Sequence, residues 1–224
     1  MERHLDEELK EVKVKLLEMA DLTIESINKS IRALKERNIG VANEIFVIDR
    51  RIDQFEIEIE EKCIELIALR QPVSSDLRFL IGAIKINNDL ERMGDHAVNI
   101  AQCVIALADK PHIKPLIDIP KMARLAKEML KDSINSFIEN NTVKAKKVCE
   151  RDDKVDGLRD QVFRELLTYM MSDPATITRA MELILVSRNL ERIADLSTNI
   201  CEEVIYIAQA RVIKHHAEER GKKK

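Results

Sequence analysis

Residues 87–105 read NNDLERMGDHAVNIAQCVI, and 100 positions later residues 187–205 read SRNLERIADLSTNICEEVI. Without a gap the copies share Leu90/Leu190, Glu91/Glu191, Arg92/Arg192, Asp95/Asp195, Asn99/Asn199, Ile100/Ile200, Val104/Val204 and Ile105/Ile205. Half of these positions are polar. A repeat kept for packing alone would echo mainly its apolar residues, because surface polar positions are weakly constrained. The frame Glu-Arg-x-x-Asp-x-x-x-Asn therefore reads as chemistry carried on a scaffold.

The scaffold is helical. Ala83, Ile86, Leu90, Met93, Ala97, Ile100, Val104 and Leu107 are spaced three and four apart, as one buried helix face requires. Leu183, Val186, Leu190, Ile193, Ser197, Ile200, Val204 and Ile207 repeat the spacing. Upstream, one helix is expected over about residues 4–37, with Asp6, Glu7 and Glu8 near its N-terminus where the dipole favours acids. A second is expected over 41–70 with the stripe Ile45, Ile48, Ile52, Phe55 and Ile59, between a turn at Asn38–Gly40 and a stop at Pro72. Ser74 or Ser75 can cap the third.

Pro111, Pro115 and Pro120 interrupt helix formation across KPHIKPLIDIP. A fourth helix then runs over about 121–139, where Asp-Ser-Ile-Asn at 132–135 echoes Glu-Ser-Ile-Asn at 25–28. Asn140 and Asn141 mark a turn, a fifth helix continues to Met171, and Ser172-Asp173-Pro174 restarts the sixth. The expected fold is all-α: a tandem repeat of two antiparallel three-helix bundles, six long helices related by a pseudo-twofold, over residues 1–110 and 111–224.

Composition agrees. Five Gly, five Pro, no Trp and 3% aromatic residues in 224 leave little for a β-sandwich. Charged residues make up 34% of the chain, yet the net charge is only -3, which announces no nucleic acid partner. No apolar run is long enough for membrane insertion and the N-terminus lacks a signal-like apolar stretch, so a cytoplasmic protein is expected. Cys63, Cys103, Cys149 and Cys201 lie far apart without a C-x-x-C and read as reduced core residues. The GKKK end at 221–224 and His215 and His216 read as a solvated terminus.

Acids four apart share a helix face, and they recur as Asp49/Asp53, Glu91/Asp95, Asp152/Asp156 and Glu191/Asp195. Like charges at that spacing cost a helix roughly 0.2 to 0.5 kcal/mol per pair, so four such pairs at matching places call for a reason. Asp53 and Glu91 stand at similar distances from the turn at Pro72, as do Asp49 and Asp95. In an antiparallel hairpin each pair would meet at one height. Asp156 with Glu191, and Asp152 with Asp195, balance likewise about the second turn. Four carboxylates in each half can thus converge, flanking the apolar stripe and facing solvent. Oxygen donors without neighbouring His or Cys suit magnesium, calcium, manganese or an iron cluster better than structural zinc. The alternative is an ordinary surface where Arg50, Arg51, Arg92 and Arg192 balance the acids. Asn99 and Asn199 could add a carbonyl ligand or bond a neighbouring helix. His96 lies about 100° round the helix from Asp95, and its counterpart Leu196 cannot bind metal, which disfavours it as a ligand.

Asp-Arg-Arg-Ile-Asp at 49–53, Asp-Asp-Lys-Val-Asp at 152–156, the stretch from Asn88 to Ala101 and Leu-Glu-Arg-Ile-Ala-Asp-Leu-Ser-Thr-Asn-Ile at 190–200 resemble the PhoU family of bacterial phosphate-transport regulators, over about residues 5–210. The resemblance implies a cytoplasmic accessory protein of the high-affinity phosphate transporter that restrains uptake and the starvation response when phosphate is plentiful. It implies the transporter's ATPase subunit and a membrane sensor histidine kinase as partners, and a homodimer. It further implies metal ions or clusters, with iron, manganese, magnesium, calcium and zinc as candidates, bound by paired E/DxxxD motifs. Here these fall on Asp49, Asp53, Glu91, Asp95, Asp152, Asp156, Glu191 and Asp195. The second half departs at Ala194 for Gly94, Leu196 for His96 and Ser197 for Ala97, none of which removes an acid.

With no nucleophile–base constellation and no phosphate-binding P-loop, the expected role is a non-enzymatic regulator. Two other readings stand beside it. A di-metal carboxylate enzyme would need inward Glu and Glu-x-x-His ligands, which the acid sites lack. A metal-free helical adaptor would use the same bundles without phosphate control.

Overall fold

The computed structural model describes residues 4–210, and their regular structure is entirely helical. The helices are α1 (His4–Glu36), α2 (Ile39–Arg70), α3 (Ser75–Leu107), α4 (Asp118–Ile138), α5 (Thr142–Cys149), α6 (Asp152–Ser172) and α7 (Ile177–Gln209), with a 3₁₀ turn at Pro174–Thr176. The basic end and His215 and His216 lie outside the described residues. None of the described helices is long and apolar enough to cross a membrane.

Each half is three helical layers, α1, α2 and α3 in the first and α4, α5 with α6, and α7 in the second. Their boundaries follow local chemistry. Asn38 caps α2, its side-chain oxygen accepting from the Val41 amide at 3.1 Å, and Asn141 caps α5 by accepting from Lys144 at 3.0 Å. Asp173 accepts from the Ala175 amide and starts the 3₁₀ turn ahead of α7. The expected serine cap of α3 is not made: Ser74 occupies the N-cap position with φ 53°, and its side chain bonds no helix amide.

Two further expectations are corrected. Helix α4 starts at Asp118, ahead of Pro120, because a proline in the first turn lacks only an amide that has no intrahelical partner there. The single fifth helix is broken at Glu150 and Arg151 into α5 and α6. The Arg151 amide bonds Val148, a tightened turn, and Asp152 and Asp153 become the first turn of a new helix, where its dipole favours them.

Helices α3 and α7 form the centre. Arg78 Nε donates to the Ile207 carbonyl at 3.4 Å, Lys85 Nζ reaches Glu203 at 3.0 Å, and His96 Nδ1 lies 2.9 Å from Asn189 Oδ1. Numbers rise on one helix as they fall on the other, so the pair is antiparallel and crosses near Arg92 and Arg192. The repeated motifs therefore flank the pseudo-twofold. Every stripe residue of α3 from Ala83 to Leu107 is buried, as are those of α7 from Leu183 to Val204. On one side α1 meets α4, where Lys127 donates to Asn28 at 3.1 Å, and Phe79 of α3 stacks on Phe137 with centroids 5.5 Å apart.

Candidate functional site: two acidic patches

The first patch joins α2 to α3. Ile52 and Met93 are fully buried and fix the two helices, which leaves Asp49, Asp53, Glu91 and Asp95 beside the seam. Asp49 lies against Gly94: a Cβ there would meet its Oδ1 at 3.3 Å and Ile52 Cδ1 at 3.1 Å, so a residue without a side chain allows this approach. Asp53 and Asp95 are exposed, while Asp49 and Glu91 are half-buried.

Electrostatics show that the four belong together. Burial, then Asp53 and Asp95, push Asp49 up to about 6. Burial, then Asp95, Glu56, Asp53 and Asp49, push Glu91 up to about 7. Burial and Asp95 also raise Asp53. Among the described residues no Lys or Arg pairs with any of the four; Arg92, one candidate neutraliser, turns instead to Asp89 at 3.5 Å. Glu56, which the sequence reading passed over, is a fifth acid here.

The second patch joins α6 to α7 and has the same acids in a different setting. Burial and then Asp195, Asp156, Glu191 and Asp153 push Asp152 up to about 6. Burial raises Asp195, with Arg192 pulling the other way. Glu191 is buried rather than facing solvent, which corrects the expectation that all eight acids lie outward. Its burial is matched by Arg159, whose Nη1 donates to Glu191 Oε1 at 2.8 Å and lies 3.4 Å from Asp156. Arg192 reaches Asp195 at 3.0 Å and Glu191 at 3.5 Å. Asp152 Oδ1 is buried without a hydrogen-bond partner.

Arg159 is thus a member of the second patch that spacing did not reveal. A signal was present, since it stands three residues after Asp156 as Glu56 stands three after Asp53. His96 bonds Asn189 across the central helix pair. Asn99 shares a groove along α3 and α7 with His96 and Arg188, and Asn199 shares one with Glu56 and Lys85.

Chemically, the first patch is a set of hard oxygen donors whose repulsion a cation would relieve. Among the described residues, no three His, Cys, Asp or Glu side chains form a ready-made cage. Any ion there would be gathered by rotation of exposed carboxylates. The donor set fits a divalent cation or cluster at the first patch better than at the second.

Duplicated three-helix bundles with paired acidic motifs on a shared central helix pair define the class of this protein. A family model, the PhoU domain, matches residues 16–104 and again 119–204. The chain belongs to the PhoU family. It is 47% identical over 218 residues to a phosphate-specific transport system accessory protein PhoU homolog of Aquifex aeolicus, covering 97% of this chain and 99% of that one. A homolog with the same description in Clostridium acetobutylicum is 38% identical, covering 93% and 95%. The crystal structure of PhoU from Pseudomonas aeruginosa superimposes with TM-score 0.89 at 34% identity, covering 93% of this chain and all of that one. The phosphate transport system regulatory protein PhoU from Streptococcus pneumoniae gives 0.88 at 30% identity, covering 94% and 100%.

Proposed function

We propose that this chain is a non-enzymatic regulator of phosphate homeostasis, working at the cytoplasmic face of a high-affinity phosphate transporter. It restrains uptake and starvation-gene transcription when phosphate is plentiful, through contacts with the transporter's ATPase subunit and a sensor histidine kinase, and acts as a homodimer. The observation that carries this reading is near end-to-end similarity to proteins described as accessory to phosphate-specific transport.

The acidic motifs supply the metal part of the proposal. Asp49, Asp53, Glu91 and Asp95, and in the second half Asp152, Asp156, Glu191 and Asp195, would hold a divalent cation or iron cluster, with iron, manganese, magnesium, calcium or zinc as candidates. Bound there, it would turn a repelling patch into one able to meet an anionic group.

The test is a strain lacking this chain, assayed for phosphate uptake and a starvation-gene reporter at high phosphate, with capture of the ATPase subunit and kinase on the purified protein. Derepressed uptake and reporter, restored by the parent gene, are expected. Unchanged uptake and expression, together with no capture at either phosphate level, would overturn the proposal in favour of a structural adaptor.

A further inference from the structure

We infer that the two acidic patches are not equivalent: the second already contains its cation, the guanidinium of Arg159, and only the first is free to take a metal ion. This rests on the metal reading above and narrows it to one motif pair.

The halves differ at two adjacent register positions. Three residues after the second acid of its motif, α2 carries Glu56, which adds to the negative charge around Glu91. At the same place α6 carries Arg159, whose Nη1 lies 2.8 Å from Glu191 and 3.4 Å from Asp156. The next residue differs too. Asp160 accepts from Arg159 Nε at 3.1 Å and Nη2 at 2.9 Å and so fixes the fork from the solvent side, whereas the first half has exposed Ile57 there. With Arg192 on Asp195, two permanent cations touch three of the four acids.

A metal ion at the second patch would have to displace charge-assisted bonds to Glu191, a buried carboxylate. At the first patch, among the described residues, no Lys or Arg bond stands in its way, Arg92 being held by Asp89. No arginine among the described residues pairs with Asp152, whose buried Oδ1 has no hydrogen-bond partner.

The experiment measures bound manganese per chain by elemental analysis after equilibrium dialysis of the full chain against Mn²⁺, with circular dichroism to verify folding. The variants are Glu91→Gln with Asp95→Asn, Glu191→Gln with Asp195→Asn, Arg159→Glu and Glu56→Arg. The first double variant should lose the parent's metal, and the second should keep it. Arg159→Glu should carry roughly twice the parent's metal, since it frees Glu191 and Asp156 of their guanidinium and adds a carboxylate, leaving Arg192 as outward-turned as Arg92 is in the first half. Glu56→Arg should weaken binding roughly tenfold or more by placing a cation in the first patch.

Metal in the parent that falls when the second pair is neutralised overturns the inference alone, as does Glu56→Arg binding like the parent. Folded Arg159→Glu with no added metal does the same. No metal in the parent or any variant overturns the metal reading itself, and the inference with it.

Discussion

Gly82 of α3 sits so close to Ile207 of α7 that a Cβ on the glycine would stand 2.8 Å from Ile207 Cγ1 and nearer still to Cδ1. This is one of the contacts by which the central helices join the halves, and its tightness makes it testable. Gly82→Ala gains up to about 1 kcal/mol of helix propensity but forces overpacking of about 1–3 kcal/mol, a net loss of about 1 kcal/mol. In a chain of this size that lowers Tm by about 2–4 °C. Gly157 of α6 has nothing within 4 Å of its notional Cβ, and Gly157→Ala should raise Tm by a similar amount. Thermal melts that move in the same direction for both would contradict the packing described.

Equivalent caps should carry equivalent weight. Asn38→Ala and Asn141→Ala each remove a side-chain acceptor from an otherwise unpaired helix amide and should each cost about 1 kcal/mol. Urea denaturation reads this as a lower midpoint at unchanged slope. Asn38→Asp, which keeps the acceptor, should restore most of the loss.

The first patch should make stability fall as pH rises. Asp49 is pushed up to about 6 and Glu91 up to about 7, above their unfolded values, so both hold a proton more tightly in the folded chain. Their ionisation therefore destabilises the fold progressively between about pH 4 and 7, and acidification across that window relieves it. Metal-free protein should melt higher at pH 5.5 than at pH 7.5, and the difference should shrink in Glu91→Gln. A larger difference in that variant would mean that the patch does not set the pH response.

Thiol reactivity should follow burial. Cys63, Cys103 and Cys201 are buried while Cys149 is half-buried, and burial pushes the first two thiols up to about 12. Iodoacetamide on the native protein should label Cys149 alone on a timescale of minutes, and all four cysteines in denaturant. Native labelling of Cys63, read by peptide mass spectrometry, would show that the α2 core opens.

Repetition and spacing were enough to show an all-helical, duplicated fold and the approximate span of most of its helices. Apolar residues three and four apart report which face of a helix is buried, and they do so from local geometry alone. Equal distances from the turns lead one to expect Asp53 level with Glu91 and Asp49 level with Asp95. The split between α5 and α6 was not visible, because residues 150–153 have no proline or glycine and the break comes from a turn tightened beneath Arg151. Arg92 with Asp89 and Arg192 with Asp195 are pairs three apart on one helix, which spacing along that helix does encode. Tertiary structure alone decided that Arg159 of α6 neutralises Glu191 of α7. A partner on another helix depends on which side chains the packed helices bring within about 4 Å, and spacing along a single helix does not encode that distance.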